Sequence, residues 1–287
     1  MSTKVPEVIF EDNLSYAWGR AFQIVVGDNK NLRPLTISIG GLTKGLPVED
    51  AHIRQAVDIA LLQSNKYSCA ISALTIFPFT YWNLTGRPHI QEFSDLYMKK
   101  YLPRLRARDS RNKRGTYFER MIAFQGVRGK GGVILNETKN QLEHIVSLWP
   151  KNSEHSRPRQ SALQVACFDP IKDHNRAARS GFPCLQQVSF TYDDTGGLAI
   201  NAYYPTQYIF DRAYGNYLGL CHLGYFMARE LGLELIRLNC FIGRPELGDV
   251  NKSALQELIK VLQDVPPVAG SEPAEVDQKN EAIAIRG

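Results

Sequence analysis

Apolar residues recur along this chain at two spacings, and the switch between them divides it into elements. At a period of two, Val188, Phe190 and Tyr192 alternate with Ser189 and Thr191, while Leu198, Ile200, Ala202 and Tyr204 alternate with Ala199, Asn201 and Tyr203. Such alternation predicts half-buried strands, and Asp193-Asp194-Thr195-Gly196-Gly197 between them predicts a hairpin loop. At helical spacing, Tyr217, Leu220, Cys221, Gly224, Met227, Ala228 and Leu231 make one face of a long helix over 214–231, with Gly232 as its stop. Small residues at 224 and 228 predict that this helix comes close to a sheet.

Upstream, residues 11–27 predict a helix, and Leu35 to Ile39 a strand ending in Gly40-Gly41. Glu49 and Asp50 suit the positive end of a helix dipole and open a helix striped with Ile53, Ala56, Val57, Ala60 and Leu61. From Tyr67 to Trp82 the chain is almost wholly apolar, and residues 59–91 contain no carboxylate. Residues 90–101 predict another helix. Thr138 and Gln141 read as a capping-box pair for a helix carrying Leu142, Ile145, Val146 and Trp149. A strand is expected within 161–168 and another over 233–241, followed by a loop from Gly243 to Gly248; Ser253 and Gln256 then cap a short helix.

Composition narrows the class. The 287 residues, 44% hydrophobic and 22% charged, are enough for one large globular domain, expected over 1–263, with a flexible C-terminal tail over 264–287. No apolar run reaches the ~18 residues of a membrane span and the N-terminus lacks a signal-peptide pattern, so a cytoplasmic protein without membrane attachment is expected. Five cysteines, at 69, 167, 184, 221 and 240, show neither CxxC pairing nor metal-ligand spacing, so neither a disulfide framework nor a metal site is expected. The formal charge of +5 concentrates in Arg104, Arg106, Arg108, Arg111, Lys113 and Arg114. No aromatic residues interleave with these charges, which favours a solvated loop over a nucleic-acid surface. Gly126-Val-Arg-Gly-Lys-Gly-Gly lacks the spacing of a phosphate loop and reads as a hairpin end.

The stretch from Phe182 to Leu233 resembles the thymidylate synthase and pyrimidine hydroxymethylase family. Pro183-Cys184 matches the dipeptide that carries the family's nucleophile at a strand start, Tyr203 the tyrosine of its Tyr-x-Arg-Ser-x-Asp run, and Gly215-Asn216 the head of its central helix. Gly115-Thr-Tyr-Phe-Glu-Arg echoes a Gly-x-x-Tyr-Gly-x-x-Trp-Arg segment, and Arg157-Pro158-Arg159 follows a helix as the family's paired arginines do. There are departures: Pro205 stands for the arginine, Thr206 for the serine, Tyr208 for the aspartate and Leu185 for the histidine after the cysteine. Thr75 is the nearest residue to the position of a proton-managing glutamate, and no His-x-Tyr pair follows the central helix.

The resemblance implies a thymidylate synthase-like α/β (α+β) fold, a mixed twisted sheet flanked by helices with the 214–231 helix buried at its centre, and a homodimer. It implies that Cys184 adds to carbon 6 of a pyrimidine so that carbon 5 can take a one-carbon unit from methylenetetrahydrofolate. Asn216 would pair with the ring edge, and Arg159 or Arg157 would bind phosphate across a dimer interface, with Tyr203 also at the substrate. An unperturbed thiol has a pKa of about 8.5 and is only slightly ionised near pH 7, so Cys184 needs help from Arg157, Arg159, Arg212 or a helix end. The bland alternatives are a buried cysteine at 184, a helix-capping asparagine at 216, and a non-catalytic homologue that binds a nucleotide or a partner.

Overall fold

A computed structural model describes residues 5–27, 34–108, 115–124, 140–150, 156–174, 183–263 and 265. Outside these lie the glycine-rich segment 126–132, Arg111, Lys113, Arg114, Thr138 and the tail from 266 on. In chain order the elements are strand β1 (Glu7–Glu11), helix α1 (Leu14–Gly27), strands β2 (Leu35–Ile39), β3 (Leu42–Thr43) and β4 (Leu46–Pro47), and helices α2 (Ala51–Gln63), α3 (Cys69–Leu74), α4 (Phe79–Leu84) and α5 (Ile90–Leu96). A π-helical turn, Tyr97–Tyr101, joins α5 to α6 (Leu102–Arg108). Then come α7 (Tyr117–Ile122), α8 (Gln141–Leu148), β5 (Gln164–Ala166), α9 (Pro170–Asp173), β6 (Gln187–Tyr192) and β7 (Gly197–Tyr208). A second π turn, Ile209–Ala213, runs directly into α10 (Tyr214–Leu231), before β8 (Glu234–Glu246) and α11 (Lys252–Leu262).

Six strands form one mixed sheet in the order β1-β2-β8-β7-β6-β5. β1 with β2 and β7 with β8 are parallel, and the remaining pairs are antiparallel. Side chains alternate across the pleat, so Leu35, Ile37, Ile39, Val188, Phe190, Leu198, Ile200, Leu238, Cys240 and Ile242 are buried together. The mixed sheet flanked by helices is thus as the sequence predicts. Its other face carries a row of polar side chains: Asn201 reaches Thr191, Asn239 donates to Asn201 at 2.8 Å, Ser38 donates to Asn239 at 2.8 Å, and Arg237 donates to Ser38 at 3.0 Å.

Helix α10 occupies the predicted span and most of its residues are buried. Glycines on two sides make this possible. A methyl group at Gly215 would lie 2.6 Å from the Cys69 carbonyl of α3, and one at Gly224 would lie 2.7 Å from Leu235 of β8. At the C-terminal end Gly232 adopts φ 66°, a left-handed conformation that costs glycine little, and closes the helix. The apolar run from Tyr67 to Trp82 becomes α3, α4 and an aromatic cluster in which Phe77 lies 4.9 Å from Phe226 and 5.4 Å from Phe118 between ring centroids.

Several boundaries differ from expectation. The first helix starts at Leu14, after β1, and β8 continues through the expected Gly243 loop to Glu246. Asn140, not Thr138, caps α8 by accepting from the Glu143 N–H, and Gln141 instead clips the edge strand, accepting from Ala166 N–H and donating to the Ala166 carbonyl. Asn251 caps α11 in place of Ser253. In each case an asparagine two residues from the expected cap, after it at Asn140 and before it at Asn251, supplies the oxygen that the exposed first-turn N–H groups require. Among the described residues no helix is long and apolar enough to cross a membrane.

Candidate active site around Cys184

Leu185, wholly buried, anchors the chain just before β6 and leaves Cys184 half-buried at the rim. The other four cysteines are buried. Both backbone N–H groups of this corner point at one phenol: Cys184 and Leu185 donate to Tyr117 Oη at 3.2 and 3.4 Å. Tyr117 is held there because it opens α7, whose first turn is capped by the Thr116 hydroxyl. Since the two N–H groups occupy the oxygen's lone pairs, the phenol's own proton is left to point elsewhere, with the Cys184 side chain close by. Burial pushes the Tyr117 phenol well above its ordinary pKa, so it remains a donor.

Burial also pushes the Cys184 thiol up, while the Arg212 charge and the neighbouring Tyr117 hydroxyl pull in the opposite direction without cancelling it. Arg212 comes from the π turn. Its guanidinium lies 5.2 Å over the Tyr67 ring, and the neighbouring Lys66 pairs with Asp211 at 2.9 Å. The loop between α2 and α3 is therefore clamped to the turn that presents the cation, and π turns of this kind often mark functional positions.

Asn216 follows Arg212 by four residues, on the same side of the helical run. It is not at the surface, being 4% exposed. Nor does it cap: Ala213 precedes α10 in helical conformation, so the chain is already wound when it reaches Asn216. Buried polar atoms without a partner among the described residues include Tyr204 Oη, Gln207 Nε2 and Ser72 Oγ. Leaving such groups unpaired costs about 1–3 kcal/mol each.

Arg157 and Arg159 lie elsewhere in the protomer, whereas Tyr203 adjoins the Cys184 end of β6 through its backbone, its carbonyl accepting from the Gln186 N–H at 3.0 Å. Arg157 is sandwiched between Trp149 (5.4 Å) and Tyr192 (5.3 Å) and donates to the Asp193 carbonyl at 3.1 Å. That is the far end of β6 from Cys184, about 20 Å away along six strand residues. Arg159 is exposed near the same end, where the Tyr192 hydroxyl donates to the Pro158 carbonyl. Tyr203 stands on the outer sheet face, 42% exposed and stacked 5.9 Å from Phe241. The structure thus gathers Cys184, Tyr117 and Arg212, with Asn216 one turn beyond Arg212. Sequence reasoning missed Tyr117, although the Gly115-Thr-Tyr segment that holds it carries a usable signal.

A groove of about 710 Å³ lies between α2 and α3, lined by residues that include Arg54, Asp58, Ile59, Leu62, Tyr67 and Ile71. Arg54 is already paired with Glu49 and with Asp58. The groove meets the cysteine corner through Tyr67, whose ring supports Arg212. Compared with known proteins, the sequence matches no family model and no curated protein.

Proposed function

We propose that this protein is a divergent thymidylate synthase-like transferase that adds a one-carbon unit, methyl or hydroxymethyl, to carbon 5 of a pyrimidine nucleotide or nucleoside. The observation that carries this is the meeting, at the least buried of five cysteines, of a phenol that accepts from the Cys184 N–H and an arginine held by ring stacking. In that setting Cys184 ionises, its sulfur bonds to carbon 6 of the ring, and the electron pair released toward carbon 5 makes that carbon nucleophilic. Carbon 5 would then bond to the one-carbon unit and lose its proton as the folate nitrogen leaves; the unit would take up water to become hydroxymethyl, or a hydride from the tetrahydrofolate, which is thereby oxidised to dihydrofolate, to become methyl, and the carbon–sulfur bond would break to restore the ring. Arg212 and Tyr117 stabilise the thiolate at the start and as it leaves. Asn216 offers a donor and an acceptor to the ring edge.

Methylenetetrahydrofolate, when bound, supplies the electrophilic carbon, and the apolar groove walled by Ile59, Leu62, Tyr67 and Ile71 is where this chain would hold a flat donor. Among the described residues no arginine other than Arg212 bears on the sulfur, so a substrate phosphate would be met by Arg157 or Arg159 of a second copy. The outer sheet face supports such a homodimer, with Val8, Phe10, Tyr203, Ile236 and Phe241 all more than a third exposed.

The test is tritium release from carbon-5-labelled uridine and cytidine nucleotides and nucleosides in the presence of methylenetetrahydrofolate. Release by the wild type and its loss in Cys184→Ala is the expected result; exchange that survives the substitution defeats the proposal. One observation favours a second reading, a homologue that binds a nucleotide or a partner without turning it over: burial still leaves the Cys184 thiol above its ordinary pKa. Ligand binding without exchange, and unaffected by alkylation of Cys184, would establish that alternative.

A further inference from the structure

The two rims of the six-stranded sheet are finished differently. At the β5 rim Gln141 lies across the strand, accepting from the Ala166 N–H at 2.8 Å and donating to the Ala166 carbonyl at 2.9 Å, so the backbone there is already satisfied. At the opposite rim stands β1, paired with β2 alone and in parallel register. In a parallel ladder every second residue turns both of its backbone groups to the neighbouring strand. Here the Glu7 N–H donates to the Pro34 carbonyl at 3.0 Å, and the Glu11 carbonyl accepts from the Gly40 N–H at 2.9 Å. Glu7, Ile9 and Glu11 therefore face β2. Val8 and Phe10 direct their N–H and C=O groups outward, with no strand beyond them among the described residues. Their side chains are 71% and 49% exposed. An edge of this kind is a template for another strand.

The course of the chain says which strand. Helix α11 ends against α1: Gln23 donates to the Leu262 carbonyl at 2.9 Å, and a methyl group at Gly19 would lie 2.9 Å from Leu262 and 3.7 Å from Val265. The last described residue thus rests on the helix that follows β1 in the chain and packs against it. Sixteen residues later, after 266–281, the sequence reads Ala-Ile-Ala-Ile-Arg over 282–286, a period-two pattern with β-branched residues at alternate places. A linker of that length has a root-mean-square span of roughly 20 Å, and a helix with its side chains is about 10 Å across. The distance from α1 to its neighbouring strand is within reach.

We propose that residues 282–286 add to β1 as a seventh, antiparallel strand. In that register Ile285 exchanges backbone hydrogen bonds with Val8, and Ile283 with Phe10, which places both isoleucines on the face where Val8 and Phe10 are exposed. Ala284 falls beside buried Ile9, on the side where α1 packs and a small residue fits, and Arg286 comes opposite Glu7. A second copy of β1 is a poorer occupant. In the antiparallel register that pairs Val8 with Phe10, Glu7 of one copy would meet Glu11 of the other at both ends, and like charges directly opposite are destabilising. The inference is independent of the chemistry proposed for Cys184, which sits before β6, the fifth strand from this rim.

The experiment is residue-resolved amide hydrogen exchange by NMR on wild type and on the full-length variant Ile283→Pro/Ile285→Pro, which removes the two N–H donors the added strand needs. The expected result is that the Val8 and Phe10 amides exchange at least about tenfold more slowly in wild type than in the variant, while Ile9, bonded to β2, exchanges alike in both. Equally fast exchange of Val8 and Phe10 in the two proteins overturns the inference, since the edge is then bare. Equally slow exchange overturns it as well, and dilution identifies the occupant: protection lost on dilution assigns the edge to a second copy, and protection that persists assigns it to another part of this chain.

Discussion

At the scale of single residues the sharpest quantity is the ionisation of Cys184. Its thiol is raised by burial, so the thiolate is scarce at neutral pH and grows as pH climbs. Removing a cation that favours the charged form moves the titration further up. Alkylation by iodoacetamide should accordingly be slow at pH 7 and accelerate with pH. In Arg212→Gln the same curve should be displaced to higher pH, with a roughly three- to tenfold lower rate at pH 8. A superimposable pH–rate curve would separate Arg212 from the thiol. Cys184 and Asn216 were legible in the sequence because each sits at a marked boundary, a proline before a strand and a glycine in a helix. Tyr117 was not, because what singles it out is a hydrogen-bond inventory: one phenol receiving two backbone N–H groups. Only coordinates provide that inventory.

Among the elements, α10 was the easiest to read and the π turn before it the hardest. The 3.6-residue recurrence and Gly232 define the helix, whereas Ile209–Ala213 adds a wider turn that leaves no periodic trace. β8 was cut short in the sequence because Gly243 and Pro245 look like a turn. In the sheet that glycine serves a close approach, since a methyl group there would lie 2.9 Å from the Pro205 carbonyl. The caps were misplaced for a related reason: serine, threonine and asparagine compete for the same duty over neighbouring positions, and the winner depends on where the first turn begins. The seam between α3 and α10 gives a direct check of the packing. Gly215→Ala should destabilise the protein by roughly 1–3 kcal/mol, read as a lower urea midpoint, because the added methyl meets the Cys69 carbonyl rather than a movable side chain. An unchanged midpoint would mean that α3 shifts aside without resistance.

For the molecule as a whole, the two sheet faces assign different jobs. One is sealed by α1 and α10, and the other exposes Phe241 (45%) and Tyr203 (42%) beside its polar row. Phe241→Glu should convert a species of twice 32.4 kDa into one of 32.4 kDa by light scattering, and it should abolish any activity that draws Arg157 or Arg159 from a second copy. A wild type that already elutes at the mass of one chain would remove the homodimer and with it the route from those arginines to Cys184. The strands and helices themselves were within reach of pattern reading because alternation and periodicity suffice for them, whereas their assembly into a mixed sheet flanked by helices entered through the family resemblance. The partition of the arginines between the two ends of β6 was out of reach, since both ends look alike in sequence.

The polar row from Thr191 through Asn201, Asn239 and Ser38 to Arg237 crosses four strands at right angles to their run. Its members are bonded to one another, so their orientations are set before anything lands on them. A twin molecule approaching about a twofold axis would present the same comb turned end for end, and teeth already locked in place allow few offsets at which the two combs mesh. Lateral sliding, the usual weakness of a flat strand surface, would be suppressed by side chains that never touch the cysteine.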